Sequence, residues 1–364
     1  MHPTAKTALV VLAKFAFPAA IIGFLIWRIE PEQWEQLSSQ PKNYGLLAAA
    51  LVVSLAAMML SFVRWCVLVR CQGIELSMLE AFRLGSIGFL LSFVSAGSVG
   101  GDVFKAVFLA KRRPGKRIAA VASVFVDRGA GLYGLLLLVA AGLMVSAPPA
   151  SVDSALDMDK IKTATAVLIV VGSTVLAILV MGGRGVDRLI GWGSDLPLIG
   201  GIIRTVGPPL RMFHAHPFAF GSSILMSIGV QGLLVISMYL VARGMYPDPP
   251  TLAEHFVIVP IGMLASALPI TPAGIGVLEF VTETLYRSVP AVPTEASGTL
   301  VALVFEIVKV VMAIIGTVFY WTAGAEVHES LEEAEGDQDL ESDVLPDDGP
   351  PTGEGPNSVV NDRI

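Results

Sequence analysis

The sequence predicts an all-α polytopic membrane protein with about six spanning helices and two re-entrant helical hairpins in an inverted-topology repeat. Three observations predict it. The 364 residues are 54% hydrophobic and only 15% charged, with a mean hydropathy of +0.71, whereas a globular chain carries roughly 25% charged residues. Several runs exceed the roughly 18 apolar residues that mark a membrane span. Two further apolar segments are interrupted by glycine-rich stretches, and broken backbone at membrane depth is tolerated only where protein or a wet cavity surrounds it.

In chain order, spans are expected at residues 7–27, 44–69, 118–145, 161–181, 218–241 and 297–321. Lys6 precedes the first run and Lys14 interrupts it. No small-residue cleavage site follows, so this is read as an uncleaved helix. The broken segments are 81–110, with SAGSVGGD at its centre, and 252–286, with LPITPAGIG. Each side of a break is about half a membrane long, which makes each segment a hairpin. Cys66 and Cys71 are too few for a disulfide scaffold or a metal cluster.

Charge sets the topology. Arg70, Arg83, Lys111, Arg112, Arg113, Lys116 and Arg117 flank the first broken segment, so both its ends are expected in the cytoplasm. The acidic loop 146–160 is expected outside, and the Arg-bearing loop 182–217 inside. Loops 243–255 and 286–297 are poor in Lys and Arg, so the second hairpin enters from the outer face. Both termini then lie in the cytoplasm. The order helix, helix, hairpin, helix occurs twice with opposite orientation, and AGSVG (96–100) aligns with PAGIG (272–276). Transporters use such repeats, with the ligand near the midplane.

The net charge of -7 is concentrated at one end. Residues 326–364 hold 13 acids and one Arg, leaving 18 acids against 23 basic residues elsewhere. That segment is rich in Gly and Pro and is read as an acidic disordered cytoplasmic tail. The membrane domain is expected over 1–325, with repeat halves at about 7–145 and 161–321.

Ionisable groups inside a span cost roughly 2.5–3.5 kcal/mol each on insertion scales, and so need a reason. Asp127 and Arg128 fall about 14 Å into their helix, near the midplane. Glu306 reaches a similar depth from the other face, with Lys309 one turn on. Asp127 and Arg128 point about 100° apart, so each needs another partner. The simplest pairing crosses the repeats, Arg128 with Glu306 and Asp127 with Lys309. Such a network either pins the two halves or contacts an anionic or zwitterionic headgroup. Arg64, near a helix end, is expected to snorkel. Lys14 is a candidate cavity residue. Gln231 is read as helix–helix glue, and Gly129, Gly131 and Gly134 as packing positions.

The hairpin tips are the sharper signal. A half-helix is expected to begin near Asp102 after Gly97, Ser98, Gly100 and Gly101, and another near Val277 after Thr271, Pro272, Gly274 and Gly276. Helix N-termini bind anions, and glycine lets a ligand approach the backbone. Lys105 adds a cation one turn into the first, while Asp102 either caps its helix or joins the site. Pro272 fixes the second break, and Glu279 sits in the first turn of its helix. The spacing of GSVGGDVFK is not that of a nucleotide P-loop. His214 and His216 have no ligand partners in sequence, and no catalytic signature or cofactor motif occurs. The loop around Trp192 reads as interfacial, against anionic lipid.

Together GSVGGDVFKAVFLAKR, VFVDRGAGLYGLLLL and LPITPAGIGVLE resemble the lysylphosphatidylglycerol synthase transmembrane-domain family, or flippase-like domain family, over roughly residues 6–325. The resemblance implies a membrane domain of the kind that moves aminoacylated phospholipid across the bacterial inner membrane. By match, Gly97, Gly100, Gly101, Asp102 and Lys105 carry the first motif. Asp127 and Arg128 carry an acid-Arg pair. Thr271, Pro272, Gly274, Gly276 and Glu279 carry the last motif. Ala96, Ala273 and Leu278 depart from the family pattern, which has Pro, Gly and Arg there. No soluble aminoacyl-transfer domain is expected after the membrane domain.

The expected function is movement of an amphiphilic lipid, a phospholipid or related headgroup-bearing lipid, between leaflets. No ATPase element is read in the chain, so a gradient, the potential or mass action would drive it. No cofactor, metal or nucleic acid is implied, and a separate lipid-synthesising enzyme is a candidate partner. The competing readings are a membrane-embedded lipid-modifying transferase using Asp127 or Glu279 as base, and a non-transporting membrane partner protein.

Overall fold

The computed structural model describes residues 35, 41–94, 100–112, 114–145, 158–181, 188, 191–192, 216–268 and 276–322. The expected helix at 7–27, Lys14, Gly97, Ser98, Thr271, Pro272, Gly274, His214, most of the loop 182–217 and the tail 326–364 lie outside them.

The described secondary structure is helical throughout. The long helices are α1 (Tyr44–Cys71), α4 (Arg117–Val145), α5 (Met158–Met181), α6 (Pro217–Met245) and α9 (Gly298–Thr322). The short ones are α2 (Met78–Val94), α3 (Gly100–Arg112), α7 (Leu252–Ser266) and α8 (Val277–Ser288). Among the described residues four helices are long and apolar enough to cross a membrane: Tyr44–Cys71, Arg117–Val145, Pro217–Met245 and Gly298–Tyr320. The chain is thus a multi-pass α-helical membrane protein. Each broken segment gives two short helices, α2 with α3 and α7 with α8, and the members of each pair pack against one another.

Local chemistry explains where these elements start. Asn43 caps α1 by accepting from the Leu46 N–H at 3.2 Å. Ser77 and Glu80 form a reciprocal box at the start of α2, where the Ser77 N–H donates to Glu80 at 2.8 Å and the Glu80 N–H to Ser77 Oγ at 3.2 Å. Thr251 and Glu254 repeat that box at the start of α7. Each box satisfies two N–H groups that the first turn would leave orphaned. Gly276 enters α8 at φ +93°, a conformation glycine adopts without strain. Its N–H donates to Glu279 Oε2 at 2.6 Å, so Glu279 occupies the first-turn position expected for it.

Packing joins helices that are far apart in the chain. α2 lies against α9, and α7 against α4. α3 lies against α4, and α8 against α9. α1 and α6 are the most extensively packed pair, joined at Ser54, Ser237 and the Ala50 carbonyl. Two glycines make the crossed contacts close. A Cβ on Gly316 would fall on the Ser86 carbonyl, and one on Gly142 would lie 2.6 Å from the Phe256 carbonyl. Gly129, expected to be a packing position, has nothing within 4 Å of such a Cβ. It lies on the exposed side of α4, whereas Gly134 abuts Ser227.

Candidate functional site

α1, α2, α3, α4, α6 and α7 enclose a cavity of ≈ 310 Å³. Arg64, Asp102, Lys105, Asp127, Arg128 and Gln231 line it. The short helices bring the rest of the wall: Gly88 from α2, Gly101 from the start of α3, and Met263 and Ala267 from the far end of α7.

Each charged residue arrives for a local reason. Gly100 and Gly101 start α3, which puts Asp102 in its first turn and Lys105 one turn later, at i+3. Lys105 Nζ lies 3.3 Å from Asp102 Oδ1 and 5.4 Å from the centre of the Trp65 ring. Arg128 Nε donates to the other carboxylate oxygen of Asp102. The carboxylate of Asp102 is therefore engaged by two cations, rather than serving only its own helix end. Arg128 is the most accessible of this group, with its side chain 38% exposed.

The second acid belongs to another pair. Arg64 Nε donates to Asp127 Oδ1 at 2.8 Å, and its terminal nitrogen donates to Ser227 Oγ at 2.9 Å. This joins α1, α4 and α6. Arg128 thus meets Asp102, and Asp127 meets Arg64, partners not named by the pairing expected from depth. α3 and α1 both pack against α4 and supply these partners. The expectation that Arg64 snorkels is overturned, because Arg64 is only 5% exposed. α1 continues past it to Cys71, and Arg70 is the residue at the helix end, donating to the Leu76 carbonyl at 2.8 Å.

Two other predicted acids do not line this cavity. Glu279 is buried at the start of α8 and Glu306 is buried on α9; neither lines it. Lys309 is on α9, three residues after Glu306. Gln231 donates through Nε2 to the Gly131 carbonyl at 3.4 Å, which ties α6 to α4 as a helix–helix contact would. Its place in the cavity wall was not legible, since one amide in an apolar run carries no sign of what it faces. Ser227 was missed for the same reason.

On the α7–α8 side, a second polar cluster is closed. His255 Nδ1 faces the Thr251 carbonyl at 2.9 Å, so that nitrogen carries the proton, and Nε2 accepts from the Tyr286 hydroxyl at 2.8 Å. Glu254 Oε1 accepts from the Ala291 N–H, and Glu283 from the Thr299 N–H at the start of α9. Among the described residues no group of three His, Cys, Asp or Glu could hold a metal ion.

The chain is similar to Glycosyltransferase AglD of Haloferax volcanii, at 27% identity over 208 residues. That match covers 55% of this chain and 33% of the relative, so it spans about a third of the relative's length. No solved structure matches. The family model described as the lysylphosphatidylglycerol synthase TM region matches residues 8–316, and with most of its length inside that match the chain belongs to this family.

Proposed function

We propose that the protein moves an amphiphilic lipid between leaflets, passing a phosphate-bearing headgroup through the charged cavity while the acyl chains stay in the bilayer. One observation carries this reading: five ionisable side chains line a single cavity among membrane helices. Such groups are costly in a bilayer and mark substrate pathways by default. Family membership supports the same reading. In this scheme Arg128 and Lys105 receive the phosphate and Asp102 holds them in place between headgroups.

The helix pairs are read as two re-entrant hairpins in an inverted repeat, within about six spans. The exchanged packing of α2 on α9 and α7 on α4 supports this. So do the two capping boxes, Ser77 with Glu80 and Thr251 with Glu254, which open the first half of each hairpin at nearly the same distance before Gly100 and Gly276. Alternating exposure of the cavity would follow from movement of one half against the other. Gly97, Ser98, Thr271, Pro272 and Gly274 would then form the tips, and Glu279, Glu306 and Lys309 would belong to the opposite half of the pathway. The membrane domain extends to about residue 325 in this reading. The acidic segment 326–364 follows in the cytoplasm, and the membrane is a bacterial-type inner membrane. A separate lipid-synthesising enzyme would supply the substrate.

The test is translocation of fluorescent phospholipid in proteoliposomes, scored by dithionite quenching. Losing a charged hydrogen-bonding group costs roughly tenfold or more in rate when it contacts the moving headgroup, so Arg128→Ala and Lys105→Ala should each slow it by about that factor. Wild-type rates in both would remove the site assignment, and no translocation by wild type would remove the function. Orientation is tested with Glu75→Cys and Asp248→Cys in a Cys66→Ala, Cys71→Ala background. Labelling of both from one face would refute the inverted repeat.

A further inference from the structure

Resting on the lipid-translocation reading, we infer that the cavity selects a monoanionic phosphodiester headgroup bearing a neutral hydroxyl donor, and disfavours a headgroup bearing an ammonium. Three observations combine. First, among the described residues the charges lining the cavity are three cations, Arg64, Lys105 and Arg128, against two carboxylates, Asp102 and Asp127. One positive charge is in excess, which matches one phosphodiester. Second, both carboxylates are already engaged: Asp102 by Lys105 and Arg128, and Asp127 by Arg64. An ammonium group would have to break one of these pairs to find an anion. The other buried acids among the described residues, Glu254, Glu279 and Glu306, do not line the cavity.

Third, the same wall carries a neutral acceptor. The Gln231 amide is fixed in orientation by the Gly131 carbonyl, which only its Nε2 can approach as a donor. Gln231 Oε1 is then left buried with no hydrogen-bond partner among the described residues. A buried unpaired acceptor is destabilising and calls for a donor at some stage of the protein's cycle. A hydroxyl is the donor that fits, because it meets an amide oxygen without needing a counter-charge. The volume of ≈ 310 Å³ suits a headgroup and excludes a whole lipid.

The full chain is reconstituted in phosphatidylcholine vesicles with one fluorescent acyl-labelled probe at a time. Phosphatidylglycerol carries the charge and the hydroxyls. Phosphatidylmethanol carries the charge alone, and phosphatidylethanolamine carries phosphate plus ammonium. Phosphatidylglycerol is expected to cross roughly fivefold faster than phosphatidylmethanol, the value of one neutral hydrogen bond, and faster still than phosphatidylethanolamine. Gln231→Leu is expected to bring the phosphatidylglycerol-to-phosphatidylmethanol ratio to about one. The ratio is read within one preparation, so it is independent of how much protein folds.

Equal wild-type rates for the two anions overturn the hydroxyl element. Phosphatidylethanolamine crossing as fast as phosphatidylglycerol overturns the charge element. Uptake of labelled glycerol 3-phosphate into the same vesicles, with no lipid movement, assigns the cavity to a soluble anion and overturns the proposal. Movement of none of the probes instead removes the translocation reading on which it rests.

Discussion

Replacing Arg64 by Met is the sharpest probe of what holds the cavity together. The guanidinium makes two contacts, 2.8 Å to Asp127 and 2.9 Å to Ser227. The contacts are not equal. The Ser227 hydroxyl gives its own proton to the Ser223 carbonyl at 2.7 Å, so without Arg64 it loses only an acceptor contact. Asp127 loses its cation while remaining buried, at 9% exposure. Breaking a buried pair from one side costs about 3–5 kcal/mol, whereas replacing both partners by apolar groups is near neutral. Arg64→Met should therefore lose about 3 kcal/mol or more, and the Arg64→Met, Asp127→Leu double variant should recover most of it. Ser227→Ala should cost only about 1 kcal/mol. The assay is unfolding in mixed micelles by titrated SDS, followed by helical circular dichroism, with Arg70→Met as the helix-end control. An Arg64→Met midpoint equal to that of Arg70→Met would refute the reasoning, as would a double variant no more stable than Arg64→Met.

Three further outcomes are expected. Gly316→Ala should lose about 1–3 kcal/mol, the usual range for overpacking, because its methyl would meet backbone at Ser86; Gly129→Ala in the same titration should be nearly silent. Tyr286→Phe should cost about 1–3 kcal/mol by leaving His255 Nε2 without its donor, and His255→Phe added to it should restore part of the loss. Gly276→Ala should destabilise by about 1–2 kcal/mol because α8 is entered at φ +93°, and a variant as stable as wild type would show that the turn relaxes.

The helical architecture was legible because bilayer-length apolar runs and mid-segment glycines are strong one-dimensional signals. The starts of α3 and α8 were placed within two residues, since Gly100 and Gly276 mark where a helix resumes. The capping boxes at Ser77 and Thr251 were equally present in the sequence, as S-x-x-E and T-x-x-E, and passed unread. That Arg64 and Asp102 would be the partners of Asp127 and Arg128 was not legible. Depth along a helix follows from counting residues, but partner choice depends on which helices become neighbours. Asp127 and Glu306 have comparable depth, yet α1 brings Arg64 to Asp127. Arg64 was misassigned because its helix extends beyond the apolar run, which makes a buried residue resemble a terminal one.

The seat of α2 on α9 has a consequence for biosynthesis. Ser86 emerges from the ribosome long before Gly316, yet the two backbones touch in the finished protein. α2 must therefore persist, its α9 docking face uncovered, until α9 has been made. A chain halted before residue 298 would present that face to the quality-control proteases of the membrane. The ion pairs of the amino-terminal half would be present in such a fragment, and the surface that completes the half would not. α9, made more than 200 residues after α2, thus acts as the latch on it.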